Sequence, residues 1–229
     1  MDRQLEYLIT AWPTNGLPTT LLQRTRRIYD RVSAVYPLST MFFHSRAHRC
    51  TLEASGIEDG MRVLEVATGS GEMFRRLLRA NPRGATVGVD LSPNMASRTQ
   101  RRARREFPAS RADCQAVDAR QMPFRDETFD AVVSCYMLEL LSAEDIVRTV
   151  GEFHRVLRRP GRLSLVLIGQ NTATFNRLYR LATSVAPAFW GRQVERSIPD
   201  LIRAAEFRIL HDQMVKQTGY PSRVLAAVK

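Results

Sequence analysis

Between Glu65 and Gly71 the chain reads Glu65-Val66-Ala67-Thr68-Gly69-Ser70-Gly71, and Asp90 follows Gly69 by 21 positions. Glycines so placed let a backbone approach a ligand directly and take positive φ at no steric cost. A carboxylate at the interval of Asp90 is where an open α/β fold sets an acid against a ribose diol, whose two hydroxyls can both donate to it. The chemistry on offer is the binding of a nucleoside-containing ligand, with Glu65 as a second acid nearby.

The flanking residues supply the elements that must position this turn. Val63, Leu64 and Val66 form an apolar run suited to a buried parallel strand. Met73, Phe74, Leu77 and Leu78 then repeat at helical spacing. A second strand, 85–89, ends in Asp90, and Leu91-Ser92-Pro93 predicts a helix start with Ser92 as N-cap and Pro93 at the first helical position. Met95 lies one turn in, placed to touch a purine face. A dinucleotide fingerprint starting at Gly69 requires a small residue at position 74, which is Phe, and no Gly-Lys-Ser/Thr follows to make a phosphate-binding loop. An acid-x-Ala-x-Gly-x-Gly turn remains, either a ligand loop or merely a glycine turn between strand and helix.

That turn resembles motif I of the class I S-adenosylmethionine (SAM)-dependent methyltransferases, with Ala67 where many members carry glycine. Gly88 to Met95, G-V-D-L-S-P-N-M, is similar to their motif II. The resemblance implies SAM as cofactor and S-adenosylhomocysteine as product. It implies cofactor contacts from Glu65, Ala67, Thr68, Gly69, Ser70, Gly71, Asp90, Leu91 and Met95. It also implies Asp118 and Ala119 at the adenine, Ser134 and Cys135 near the sulfonium, and Tyr29, of Tyr29-Asp30, at the carboxylate end. Met122-Pro-Phe124 followed by 126–130, D-E-T-F-D, resembles the methyltransferase type 11 subset, near the ubiquinone/menaquinone C-methyltransferases. Residues 155–162, R-V-L-R-R-P-G-R, resemble the family's turn before strand five, with Arg162 in place of its second glycine.

Further strands are expected at 114–117, 131–134 and 163–168, and a capping-box-like start at Ser142 leads a helix whose stripe is Ile146, Val150, Phe153 and Leu157. A helix over 199–207 and a hairpin of 209–215 with 223–228 close the chain. Strands alternating with helical patterns imply a doubly wound, mostly parallel sheet. The resemblance makes it a seven-stranded, Rossmann-like α/β sheet with an antiparallel last strand. One domain over 1–229 is expected: a helical cap at 1–55, a SAM-binding core at 56–168, and acceptor-side helices with the hairpin at 169–229.

Within the cap, stripes through Leu5, Leu8, Ile9 and Trp12, and through Leu21, Thr25, Ile28 and Val32, precede a third helix carrying Met41, Phe42 and Phe43. These segments are either a packing layer or a lid with apolar walls. Another apolar segment, Pro187 to Trp190, falls where the family places acceptor-binding elements. His44 and His48 stand at i, i+4, a spacing that can chelate, but no third ligand is apparent and no metal is expected. No motif marks a catalytic base; His44 and Tyr136 are the candidates, Tyr136 from the strand end where the family faces its acceptor.

Composition narrows the class. The net charge is +11, yet 32 of 34 basic residues are Arg, spread over nearly every element, with a densest cluster at Arg98, Arg101, Arg102, Arg104 and Arg105. Uniform spread argues against a nucleic acid partner and permits weak peripheral attraction to anionic membranes. Three cysteines without metal spacing read as reduced thiols, and the first residues lack a signal-peptide pattern, so a cytoplasmic location is expected. The reading is a SAM-dependent methyltransferase acting on a small, apolar or lipid-like acceptor (a quinol, phenol or amine). The alternatives are a non-catalytic SAM-binding subunit and an RNA methyltransferase.

Overall fold

The computed structural model describes residues 36–169, 194–217 and 221–229, with side chains of the first helix described from residue 45 on. Expectations for the two earlier helical stripes, Tyr29, the side chains of Met41 to His44, and Pro187 to Trp190 lie outside these residues. Helix α1 (Tyr36–Ser55) leads into β1 (Arg62–Val66), α2 (Glu72–Ala80), β2 (Ala85–Asp90), α3 (Pro93–Glu106) and β3 (Arg111–Ala116). Then come β4 (Phe129–Cys135), a short 3-10 turn (Leu138–Leu140), α4 (Ala143–Val156) and β5 (Leu157–Ile168). Helix α5 (Ile198–Ala204), β6 (Arg208–Val215) and β7 (Ser222–Val228) complete the described chain.

Seven strands form one sheet in the order β3-β2-β1-β4-β5-β7-β6. The pairs among β1 to β5 are parallel, while β7 runs antiparallel to both β5 and β6. The expected fold class and the reversed last strand are therefore what the chain adopts. Both central strands are buried on two faces, which is why their sequences are nearly continuous apolar runs. Strand alternation sends Leu64, Val66 and Val132 to one side, against Ile146, Val150 and Phe153 of α4. Val63, Ala131 and Val133 pack on the other side with Met73 and Leu77 of α2.

Boundaries move where local pattern and sheet pairing compete. Strand β5 begins at Leu157 instead of 163, because Leu157 pairs with Phe129 before the register shifts to Ala131 opposite Arg162. The methyltransferase-like turn is thus taken up as an irregular strand start. Helix α5 stops at Ala204, three residues short of the expected end, and Glu206 takes a left-handed φ of 64° before the chain enters β6.

The turn after β1 is strained at one position. Ala67 has φ 66°, Gly69 φ 49° and Gly71 φ 76°. Left-handed backbone costs a non-glycine residue roughly 1–2 kcal/mol. Gly71 is the N-cap of α2, and a Cβ there would come within 2.8 Å of Thr99 Oγ1 on α3. Replacing Ala67 with glycine, whose flexibility in the unfolded chain offsets part of the relief, should raise unfolding free energy by up to about 1 kcal/mol. Urea denaturation of Ala67→Gly beside the unsubstituted protein measures this; a lower midpoint would mean the Ala67 methyl contributes more packing than its backbone costs.

Candidate functional site

A cleft opens at the carboxyl edge of the sheet, over the ends of β1, β2 and β4. This is where open α/β sheets take ligands, because the loops leaving adjacent strands diverge there. Glu65, Ala67, Thr68, Gly69 and Ser70 line it from the first turn, Asp90, Leu91 and Met95 from the second, and Asp118 and Ala119 from the third. Cys135 and Tyr136 line it from the end of β4. Of the cofactor-contact residues that the resemblance implied, those among the described residues are thus brought together, with two exceptions.

Gly71 stands away from the lining, and its N–H is spent on the Thr68 carbonyl at 2.8 Å. Its place is the left-handed cap and the close approach of α2 to Thr99, which only a missing Cβ permits. Ser134 is buried in β4 between Val66 and Leu165 and does not reach the cleft. Alternation along the strand turns Cys135, not Ser134, toward it.

Asp90 is the hinge of the polar half. Its Oδ2 accepts from the Gly69 N–H at 2.8 Å and its Oδ1 from the Ser92 N–H at 2.9 Å. One carboxylate therefore fastens the glycine turn to the start of α3, where Ser92 Oγ accepts from Met95 N. An ionised carboxylate offers about four acceptor sites, and these two N–H groups take two of them. Glu65, 2% exposed, has Oε2 without a hydrogen-bond partner, and Thr68 Oγ1 is likewise buried and unpartnered. Burial, and secondarily the charge of Asp90, pushes the Glu65 carboxyl well above the ordinary carboxylate range.

Asp118 is gripped by Arg120, Nη2 to Oδ2 at 2.6 Å, and Arg120 also reaches Asp145 Oδ1 on α4 at 3.1 Å. The hydrogen bond from Arg120 holds the Asp118 carboxyl below its ordinary value. Sequence reading missed Arg120; its only signal was the i, i+2 placement after Asp118.

The other half of the cleft is apolar: Met73, Met137, Leu140 and Leu141 join Cys135 and Tyr136. His48 of α1 is in the wall, its ring centroid 6.2 Å from that of Tyr136. It lies one helical turn after His44, the histidine favoured from the sequence. Tyr136 is held in a left-handed backbone, φ 54°, with its N–H on the Val166 carbonyl. Its hydroxyl is 2.7 Å from Ser222 Oγ and accepts from Gln217 Nε2 at 3.0 Å. Gln217 also donates to Ser222 Oγ and accepts from the Ala47 N–H of α1. Burial pushes the Tyr136 hydroxyl up, and the Cys135 thiol as well. Both stay protonated near neutrality, so Tyr136 builds the wall and is a poor base. Among the described residues no His/Cys/Asp/Glu group could hold a metal ion.

Comparison with known proteins agrees with this geometry. Residues 63–161 match the family model of a methyltransferase domain. A ubiquinone/menaquinone biosynthesis C-methyltransferase of Desulfotalea psychrophila is 31% identical over 140 residues, 59% of this chain and 54% of the relative. A 2-phytyl-1,4-naphtoquinone methyltransferase of Nostoc is 28% identical over 151 residues, 64% of this chain and 65% of the relative. This chain therefore spans about half to two thirds of the length of these curated relatives. A SAM-dependent methyltransferase structure from Aquifex aeolicus superposes with a TM-score of 0.64 over 89% of this chain and 97% of that one, at 16% identity. With the glycine turn, the acid at the end of β2 and the reversed β7 all in place, residues 63–161 are similar to a methyltransferase domain, and the chain has the fold of the SAM-dependent methyltransferase structures.

Proposed function

We propose that the chain binds SAM in this cleft and carries out transfer of its methyl group to a small, apolar or lipid-like acceptor, a quinol, phenol or amine. The observation that carries the reading is the division of the cleft into a polar half, with two buried unpartnered acceptor atoms, and an apolar half against the end of β4. The polar half fits the cofactor: Asp90 for the ribose diol, Met95 and Ala119 for the purine faces, and Glu65 Oε2 with Thr68 Oγ1 for the ammonium end. Bound SAM supplies an electrophilic methyl group on a sulfonium. The protein's contribution is then to hold an acceptor in line with it, which for well-oriented reactants is worth roughly 7–11 kcal/mol. Met137, Leu140 and Leu141 exclude water from the acceptor's space, and Tyr136 fixes its floor. The kinship to quinone-modifying relatives supports the acceptor class.

Glu65 gives the cofactor reading a pH signature. With its carboxyl raised, the free protein holds a proton there at pH values where an exposed glutamate is ionised. An ammonium beside it favours the carboxylate, so binding releases that proton. Affinity should therefore rise as pH rises toward the free-state pKa and level off above it. Titrations of S-adenosylhomocysteine by calorimetry in two buffers of different ionisation enthalpy should give different heats, and Glu65→Gln should remove the difference. Equal heats with the unsubstituted protein would take the ammonium away from Glu65.

Asp90→Ala should weaken cofactor binding by about 1.5–3 kcal/mol, the worth of hydrogen bonds to a charged group. Because Asp90 also holds Gly69 and Ser92, thermal stability should fall with it, and saturating S-adenosylhomocysteine should restore little of the loss. Unaltered affinity in that variant would remove Asp90 from the ribose.

The acceptor class is tested by incubating the protein with methyl-labelled SAM and separate pools of reduced quinones, phenols, amines, phospholipids, tRNA and peptides. Label is expected in a quinol, phenol or amine pool. Label confined to tRNA or peptide overturns the apolar acceptor, and cofactor binding with no labelled pool favours a binding subunit.

A further inference from the structure

A second groove runs along the outer side of α1, between that helix and the edge strand β6. Arg46, Arg49 and Glu53 follow each other on one face of α1, and Met214 on β6 and Lys216 just past its end face them. Arg46, Arg49 and Lys216 are exposed, and no carboxylate of the described residues lies within ion-pair distance of them. The neighbouring acid on β6, Asp212, is already neutralised by Arg223 at 2.7 Å. Leu210 and Met214, 42% and 47% exposed, are the large apolar side chains left open to water among the described residues, and both are on β6. The place is also specific. A Cβ on Gly169, just past the end of β5, would run into Met214 Cε, which puts the groove at the same carboxyl edge as the cleft. Arg46 and Arg49 flank Ala47 and His48, residues that turn inward to the core and the cleft.

We infer that this groove docks the protein on an anionic lipid surface. Three cations in no ion pair, outnumbering the groove's carboxylate Glu53 and set around an exposed methionine, fit a headgroup layer: phosphates take the cations while the apolar side chains enter the acyl boundary. The same helix that grips the lipid on its outer side then walls the cleft on its inner side. An apolar compound dissolved in that bilayer would reach the cleft without crossing water. The docking stands independently of which acceptor is methylated.

The test is co-sedimentation of the protein with phosphatidylcholine vesicles containing about a third phosphatidylglycerol, and with phosphatidylcholine alone. The control variant is Arg101→Gln/Arg104→Gln/Arg105→Gln on α3, which removes equal charge elsewhere. Binding is expected only to the anionic vesicles. Each basic contact is worth about fivefold in partitioning. Arg46→Gln/Arg49→Gln/Lys216→Gln should therefore lose on the order of a hundredfold, and Met214→Ser several-fold that persists at high salt. The α3 variant should lose far less. Equal losses in the two triple variants would reduce the effect to overall charge and overturn the inference. So would absence of binding to anionic vesicles, or binding of the groove to RNA in preference to them. S-adenosylhomocysteine binding, measured on every variant, reports folding and keeps the cofactor reading separate from this one.

Discussion

The arrangement at the carboxyl edge depends on one carboxylate. Asp90 receives the N–H groups of Gly69 and Ser92, and so joins the turn after β1 to the turn after β2. Two loops that would otherwise move independently become one frame, with α2 and α3 leaving it as neighbours. Hydrogen bonds to an ionised group are stronger than those between neutral groups and hold their geometry more firmly. Burying that charge is costly unless it is hydrogen-bonded, and here one donor, the N–H of the α3 N-cap Ser92, is a group that a helix start leaves unsatisfied in any case.

A second set of polar ties closes the cleft at its sides. Arg120 bridges Asp118 after β3 to Asp145 in the first turn of α4, so the third loop is fixed to the helix that follows the fourth strand. Glu139, buried beside the apolar wall, accepts from the Ile168 N–H at the end of β5. Burial raises its carboxyl to about 7. Asp118 and Arg120 line the polar half of the cleft, while Glu139 lies behind the apolar lining and not within it. The chain can therefore hold its loops with charges while presenting carbon to whatever occupies the far half of the cleft.

The parts legible in the sequence were those where one residue type answers one local demand. Ile146, Val150, Phe153 and Leu157 announced α4 because each is wholly buried on a single stripe. Glycine 69 and Asp90 announced the turn because left-handed backbone and ligand-facing acids are rare away from such sites. Ala67 did not look strained, because its φ of 66° follows from the frame around it and not from its own preference. The start of β5 was misplaced since Leu157 belongs at once to the helical stripe and to the ladder with Phe129. Arg120 and His48 were missed as parts of the site for a related reason. Which arginine among many, or which of two histidines one turn apart, enters a cleft is decided by tertiary packing. Gly71 has a packing role beside the one its spacing suggested: a glycine can be needed for the approach of a helix as well as for a ligand.

Tyr136, Gln217 and Ser222 come from the end of β4, from just beyond β6, and from the start of β7, yet they satisfy one another through a shared set of hydrogen bonds. Removing any one leaves buried polar atoms on the other two, and such a loss costs more than the missing bond itself contributed. Substitutions here are consequently non-additive: the effect of a change at one position depends on the residues at the other two. Drift of this wall in related chains has to proceed through correlated replacements or be confined to its apolar members. Met137, Leu140 and Leu141 carry no such obligation, and they are the positions through which a lineage can reshape the cleft one residue at a time.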